Sequence, residues 1–393
     1  MDARLENYLV KDAGRIVTPA LLIYPKIVER NIRATLGMVG NDPQRWRPHI
    51  KTAKMGAVIR QMMGYGISNF KCATTLELLT ACQMGAEDVL VAFAMTGANA
   101  QRVLELAKQF PNTRVSVLVE AAEQLSPWRD TGIGIFVDVN PGMNRTGMGN
   151  DRAEEIVKLA RLSGAAFRGL HWYDGHISSG EPDERKALAH KGYDRLMEII
   201  KAVAAAGCTI GEVVTSGTPV APYGYSYPGF TKANFVHRIS PGTVIYNDIT
   251  SLKQLEGFGY QPAAVVLTTV ISHPLPQRIT CDAGHKSVSA DAGVPTCAII
   301  GHADWTPLKP SEEHLPIEGA NLPPIGENLY LVPRHVCPSV NNFDEALMIV
   351  DGRVTSVEKV NARGHENPLL GANGVRFWET AGQSGTAAPV ANR

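Results

Sequence analysis

Nowhere in the chain do about 18 apolar residues follow one another. The opening "MDARLENYLVKDAGRIVTP" has no apolar core of signal-peptide length. Neither a membrane span nor an export signal is therefore expected, and the protein reads as cytoplasmic. An excess of either charge is also missing, since Lys plus Arg and Asp plus Glu each number 38. With no net field, neither nucleic acid nor an anionic membrane is an expected partner, and a small molecule becomes the default. Cysteine is scarce and scattered: six residues, at 72, 82, 208, 281, 297 and 337, show no CxxC spacing. A chain of 393 residues folds without staples, so reduced thiols are expected.

What the chain does have is apolar content, 44% of 393 residues, in more length than one ordinary core needs. Two domains, or one large α/β barrel with a smaller companion, are expected. From Thr18 to about Thr250, β-rich runs alternate with helical stretches. "ALLIY" (20–24) precedes "PKIVERNIRATLGMVG", in which Ile27, Ile32 and Leu36 can share a helical face. "NFKCAT", "DVLVAF", "RVSVLV", "IGIFVDVN", "FRGLHWY" and "IGEVVTSG" continue the rhythm. About eight βα units fit a (β/α)8 TIM-like barrel better than an open sheet. After residue 251 the runs "AAVVLTTVISH", "QRITCDAG", "NLYLVP", "ALMIVDG" and "RVTSVEKV" have no long helices between them, the pattern of an all-β unit. The expected division is a barrel over 18–250 and a C-terminal β-domain over 251–380, which residues 1–17 could join. A small, polar, flexible tail is expected over 381–393.

Within the barrel, "RPHIKTAK" (47–54) holds a lysine on a stiff approach, because Pro48 fixes its own φ and drives Arg47 towards extended geometry. Lys51 then falls at the end of a strand, where barrel enzymes place their chemistry. It reads either as a rim lysine paired with an acid or as a Schiff-base lysine. A lysine carrying pyridoxal phosphate needs a phosphate cradle. "VTSGTPV" (214–220) offers Gly217 and Thr218, and "ISPGTVIYND" (239–248) offers Gly242 and Thr243 before Tyr246. Small residues let backbone N–H groups approach an anion, although both sequences are also plain turns. "FVDVNPGMNRTGM" (136–148) sets Arg145 in a Gly-flanked loop, as a surface cation or one facing the cofactor. Tyr173 in "GLHWYDGH" (169–176) could face the cofactor or pack the barrel rim. In "VPRHVCPSVNNFDEA" (332–346), His335 and Cys337 stand two apart, and extended geometry would turn both to one face. Imidazole and thiolate there would suit zinc or a similar divalent ion; otherwise they are a strand-end His beside a buried Cys.

Taken together, these segments resemble the D-threonine aldolase and D-serine dehydratase family, fold-type III enzymes related to alanine racemase. The resemblance runs from "TPALLIY" near residue 18 to "VNARG" near residue 364. It implies a pyridoxal phosphate barrel with a C-terminal β-domain and the cofactor on Lys51. It also implies cofactor contacts from Arg145, Tyr173, Gly217, Thr218, Gly242, Thr243 and Tyr246, and a divalent ion (Zn, Mn or Mg) on His335 and Cys337. Ala53 stands where the family commonly has histidine, His171 where glutamine is common, and "TSGT" replaces a longer glycine turn.

The activity implied is a lyase on D-3-hydroxy amino acids, with Lys51 as the catalytic base and a homodimer as the expected assembly. Cys337 beside the metal histidine tilts the expectation towards dehydration, giving a 2-oxo acid and ammonia, over retro-aldol cleavage to glycine and an aldehyde. The alternatives are an amino-acid racemase using the same lysine without a metal, and a non-catalytic carrier of pyridoxal phosphate.

Overall fold

The computed structural model describes residues 4–370. Residues 371–393, which include the expected tail at 381–393, lie outside the described residues. One sheet joins parallel strands in the order Asn69–Cys72, Asp88–Val91, Arg114–Val119, Gly134–Asn140, Phe167–Trp172, Glu212–Thr215 and Val236–Ile239. The segment 46–50 closes it into a ring. Arg47 N–H donates to the Ile239 carbonyl at 2.9 Å, Ile50 N–H to Lys71 at 2.8 Å, and Lys71 N–H to Pro48 at 2.9 Å. Pro48 needs no partner of its own on this stave because it has no N–H to satisfy.

Alternation along the staves separates two environments. Val89, Val91, Val115, Val117, Ile135, Val137 and Val213 join the main core, while Leu90, Leu118, Phe136 and Val214 form a separate apolar cluster inside the ring. Nearer the N-terminal ends of the strands the interior is ionic. Arg47, fully buried, donates to Glu212 and Asp88 at 2.8 Å each, and Arg168 reaches Asp88 at 2.7 Å and Ser116 at 2.6 Å. Arg238 also donates to Glu212. Buried charges are tolerable only when paired in this way. Gly134 makes room for the network, since a Cβ there would lie 2.4 Å from Arg168 Cδ. The ring is plugged by ion pairs at one end and by apolar side chains in the middle, which leaves the C-terminal end for chemistry.

The second sheet is mostly antiparallel and centres on the twelve-residue strand Ala264–Leu275. That strand pairs with Ala20–Ile23, Arg278–Cys281 and Asn328–Pro333. The strand Ala20–Ile23, read from sequence as the first βα unit, belongs to this sheet, with Leu22 opposite Val265 and, on its other side, parallel to Leu347. The barrel stave it was taken for is segment 46–50, together with Val236–Ile239. A separate core of Val266, Val270, Ile279, Ile299, Leu315, Ile317 and Leu331 lies beneath the sheet. All six cysteines are free. No helix among the described residues is long and apolar enough to cross a membrane. The β-sheet unit meets the barrel mouth through the short helix Val336–Asn341, which follows the strand Asn328–Pro333.

Candidate active site

Lys51 stands half-buried just beyond segment 46–50, at the C-terminal mouth of the ring. Its backbone N–H donates to His49 Nδ1 at 3.3 Å, so that nitrogen carries no proton. Burial, with Lys51 and Lys71 adding their charge, pushes the His49 imidazole well below its ordinary range. Lys51 opens onto a cleft of about 370 Å³, whose wall includes Tyr173, Thr218, Ser240, Thr243, His335 and Cys337. The volume lies in the range of small-ligand sites. Barrel and β-sheet unit therefore line one cavity.

Around Tyr173 a polar cluster fills the barrel mouth. Lys71 Nζ lies 5.5 Å and Arg145 Cζ 4.9 Å from the ring centre, both within cation–π reach. Beside them, His171 Nδ1 and Asp138 Oδ1 are 2.7 Å apart, and the buried His171 Nε2 has no hydrogen-bond partner. Asp174 accepts from Tyr193 Oη at 2.6 Å and from Gly217 N–H at 3.2 Å, while burial lifts its carboxyl to about 6.

Sequence reasoning missed Asp138, Asp174 and, most consequentially, Lys71 in this cluster. Burial pushes its ammonium down to about 7, the Lys51 charge acting the same way while Asp138 and Asp174 oppose. An unfolded lysine titrates near about 10.4, so between about 7 and 10 the unfolded chain holds the extra proton. The cost to stability is full below about 7 and fades as pH rises towards the unfolded value. Lys71→Met is accordingly expected to raise the unfolding temperature of the cofactor-free protein at pH 6, with the gain shrinking by pH 10. A gain that stayed constant with pH would place the amine in water.

Across the cleft, His335 is extended, with φ −133° and ψ 106°, and caps the helix in which Cys337 occupies the first turn. The two side chains meet at this strand-to-helix turn and not along an extended strand, the geometry that their spacing alone suggested. His335 Nδ1 lies 2.6 Å from Asp291 Oδ2, a carboxylate–histidine arrangement that fixes the ring and leaves its other nitrogen for a ligand. Contact with Cys337 lifts the imidazole to about 9, burial opposing and Asp291 assisting. Burial would raise the Cys337 thiol, but His335, the Lys51 ammonium and Thr52 together pull it down. Thr52 Oγ1 lies 3.0 Å from Cys337 Sγ.

Two family descriptions match this chain. "Alanine racemase, N-terminal domain" covers residues 23–248, and "Putative serine dehydratase domain" covers residues 263–349. The chain belongs to the alanine racemase-like family. The second match and the relatives below show a likeness to serine dehydratase-type domains and to aldolases of D-3-hydroxy amino acids. The chain is 28% identical over 377 residues to the 3-hydroxy-D-aspartate aldolase of Paracoccus denitrificans (strain Pd 1222), spanning 90% of this chain and 94% of that protein. To the D-threonine aldolase of an Arthrobacter species it is 26% identical over 368 residues, 89% and 94% of the two chains. The crystal structure of D-threonine aldolase from Filomicrobium marinum aligns with a TM-score of 0.81 at 25% identity, over 90% of this chain and 98% of that one.

Pyridoxal phosphate is the cofactor of this alanine racemase-like group, and the cleft fits it. Ser240 Oγ is buried without a hydrogen-bond partner, on the wall where the Gly217–Thr218 and Gly242–Thr243 turns converge. A phosphate would satisfy that hydroxyl. The donor set likewise fits a divalent ion: an oriented imidazole and a thiol of lowered proton affinity. Among the described residues no group of three or more His, Cys, Asp or Glu gathers as metal ligands, so such an ion would keep open positions.

Three expected cofactor residues sit differently from their motif. Tyr246 is buried away from the cleft, its hydroxyl donating to the Ala53 carbonyl at 3.0 Å, and so it braces the turn after Lys51. Gly242 borders the cleft, but a Cβ there would lie 2.3 Å from the His49 carbonyl, so its first role is to let segment 46–50 pass. Arg145 is exposed and reaches the site only through the Tyr173 ring. Ala53, where the family commonly has histidine, is buried and brings no imidazole to the cleft.

Proposed function

We propose that the protein is a pyridoxal phosphate- and divalent metal-dependent lyase acting on D-3-hydroxy amino acids, with dehydration favoured over retro-aldol cleavage. One observation carries the reading: Lys51 and the His335–Cys337 pair face a single cleft from two different sheets. Bound there, the cofactor would supply an electron sink for the pair released at Cα, and the ion a Lewis acid at the β-hydroxyl. In this reading Lys51 anchors the cofactor and then moves the Cα proton. Ser240, Thr218 and Thr243 receive the phosphate, and Tyr173, with Lys71 and Arg145 on its ring, walls the site. His335, held by Asp291, and Cys337 orient the β-hydroxyl side of the substrate. The β-sheet unit closes the cleft and limits water.

Dehydration needs one base, at Cα, and a leaving hydroxide. Carbon–carbon cleavage needs a base at the β-hydroxyl instead. Near His335 the carboxylates are committed, Asp291 to its Nδ1 and Asp248 to the backbone N–H groups of Val336 and Ser251. Position 53 supplies no imidazole. This favours dehydration. A panel of D- and L-3-hydroxy amino acids, with 2-oxo acid, ammonia and aldehyde assayed separately, tests the reading. Equal amounts of 2-oxo acid and ammonia from D-substrates alone are expected. Aldehyde and glycine would make the enzyme an aldolase, and simple loss of optical rotation without either product would make it a racemase.

A further inference from the structure

Thr52 directly follows Lys51 and is fully buried. Its hydroxyl lies 3.0 Å from Cys337 Sγ, and among the described residues that sulfur is its one hydrogen-bond partner. A buried hydroxyl costs free energy unless it is hydrogen-bonded, so this contact joins the barrel to the β-sheet unit at the floor of the cleft. Thr243 Oγ1 stands farther from the same sulfur, at 3.8 Å.

The oxygen of Thr52 is held in place without help from the sulfur. Lys54 N–H donates to the Ile50 carbonyl at 2.9 Å, and Tyr246 Oη to the Ala53 carbonyl at 3.0 Å. The same turn is stitched to the stretch 361–364: Ala362 N–H donates to the Lys54 carbonyl at 2.9 Å and Gly56 N–H to Asn361 Oδ1 at 2.8 Å. That stretch also holds the helix carrying Cys337, because Gly364 N–H donates to Asn341 Oδ1 at 3.0 Å. Hydroxyl and sulfur therefore face one another from two supports that share an anchor. A thiol can donate only while it keeps its proton; once a cation replaces that proton, the sulfur accepts and the Thr52 O–H is the donor facing it.

We infer that Thr52 is a positioning residue for the divalent ion: its hydroxyl donates to the Cys337 thiolate, orients the sulfur, and ties the ion's place to Lys51, its neighbour in the chain. The inference rests on the lyase reading above for the presence of the ion. Each of the two ligands then has one partner behind it, Asp291 for His335 and Thr52 for Cys337.

Cobalt(II) is the probe, because its thiolate charge-transfer absorbance reports on the sulfur itself. Holoenzyme stripped with a chelator is titrated with Co(II) in competition with a chromophoric chelator, and spectra are read against the metal-free holoenzyme. Wild-type protein is expected to bind Co(II) and show the thiolate band. Thr52→Val keeps the shape and removes the donor; affinity should fall about tenfold or more, and the band should move to longer wavelength because an unpaired sulfur gives up charge more readily. Thr52→Ser keeps the hydroxyl and should stay within about twofold of wild type. Thermal unfolding and cofactor absorbance equal to wild type would establish that the variants are folded; should Thr52→Val fail to fold, Thr52→Ala against Thr52→Ser makes the same comparison. Wild-type affinity and an unmoved band in Thr52→Val overturn the inference and leave the metal reading intact. A fall in affinity with an unmoved band overturns it too, since the hydroxyl would then act on something other than the sulfur. Wild-type protein without a Co(II)–thiolate band overturns the metal reading itself, and this inference with it.

Discussion

Treatment with a chelator is expected to abolish turnover of D-3-hydroxy amino acids while leaving the fold and the bound cofactor intact. Structural metal sites are closed and contribute folding energy, whereas in the proposed reading His335 and Cys337 would be two ligands at the rim of an already packed sheet and barrel. Cys337→Ser replaces a thiol whose proton affinity the site lowers with a hydroxyl that stays protonated, and should reproduce chelation even with metal in excess. Asp291→Asn acts one step removed, by loosening the His335 ring; a loss of about 10- to 100-fold in metal affinity is expected, recovered at higher metal concentration. Full activity in both the chelated enzyme and Cys337→Ser would remove the metal from the chemistry and favour the racemase alternative.

Lys51→Ala should have the larger effect, because in the proposed reading one residue is both the anchor of the cofactor and the base at Cα. Losing a positioned base alone costs about 10²- to 10⁴-fold, so the double loss is expected to reach on the order of 10⁴-fold in kcat. The cofactor should still bind through its phosphate, since Ser240, Thr218 and Thr243 are untouched, but its visible absorbance should revert to that of the free aldehyde. Lys54→Met is the control. Lys54 Nζ is committed to Glu77 at 3.1 Å and to the Ala362 carbonyl at 3.2 Å, so its loss should lower stability and spare the cofactor band.

Much of this was legible in the sequence because the signals are local. The β-rich runs and helices of the barrel, the rigid Pro48 approach to Lys51 and the change of rhythm after residue 251 each declare themselves within a few residues. What escaped was non-local. The run at Ala20–Ile23, followed by a helix, looks like a barrel unit, and only its pairing with Val265 and Leu267 assigns it to the other sheet. Val236–Ile239 escaped because the inward-facing Arg238 breaks the apolar pattern of a buried strand, and it is tolerated only because Glu212 waits on the neighbouring strand. Lys71 reads as the exposed residue of "NFKCAT" until closure of the ring turns its side chain inward. His335 and Cys337 were singled out by their chemistry, yet they meet through a helix start and not through strand alternation. Tyr246 and Gly242 were placed by motif, and their contacts with Ala53 and His49 depend on how two distant turns stack.

The most direct measurement is borohydride reduction of the purified holoenzyme followed by peptide mapping. A stable pyridoxyl label on Lys51 alone is expected, together with loss of the visible band and of all lyase activity. A label on Lys71 or Lys54, or retention of activity after reduction, would contradict the assignment of Lys51 and with it the active site built around that residue.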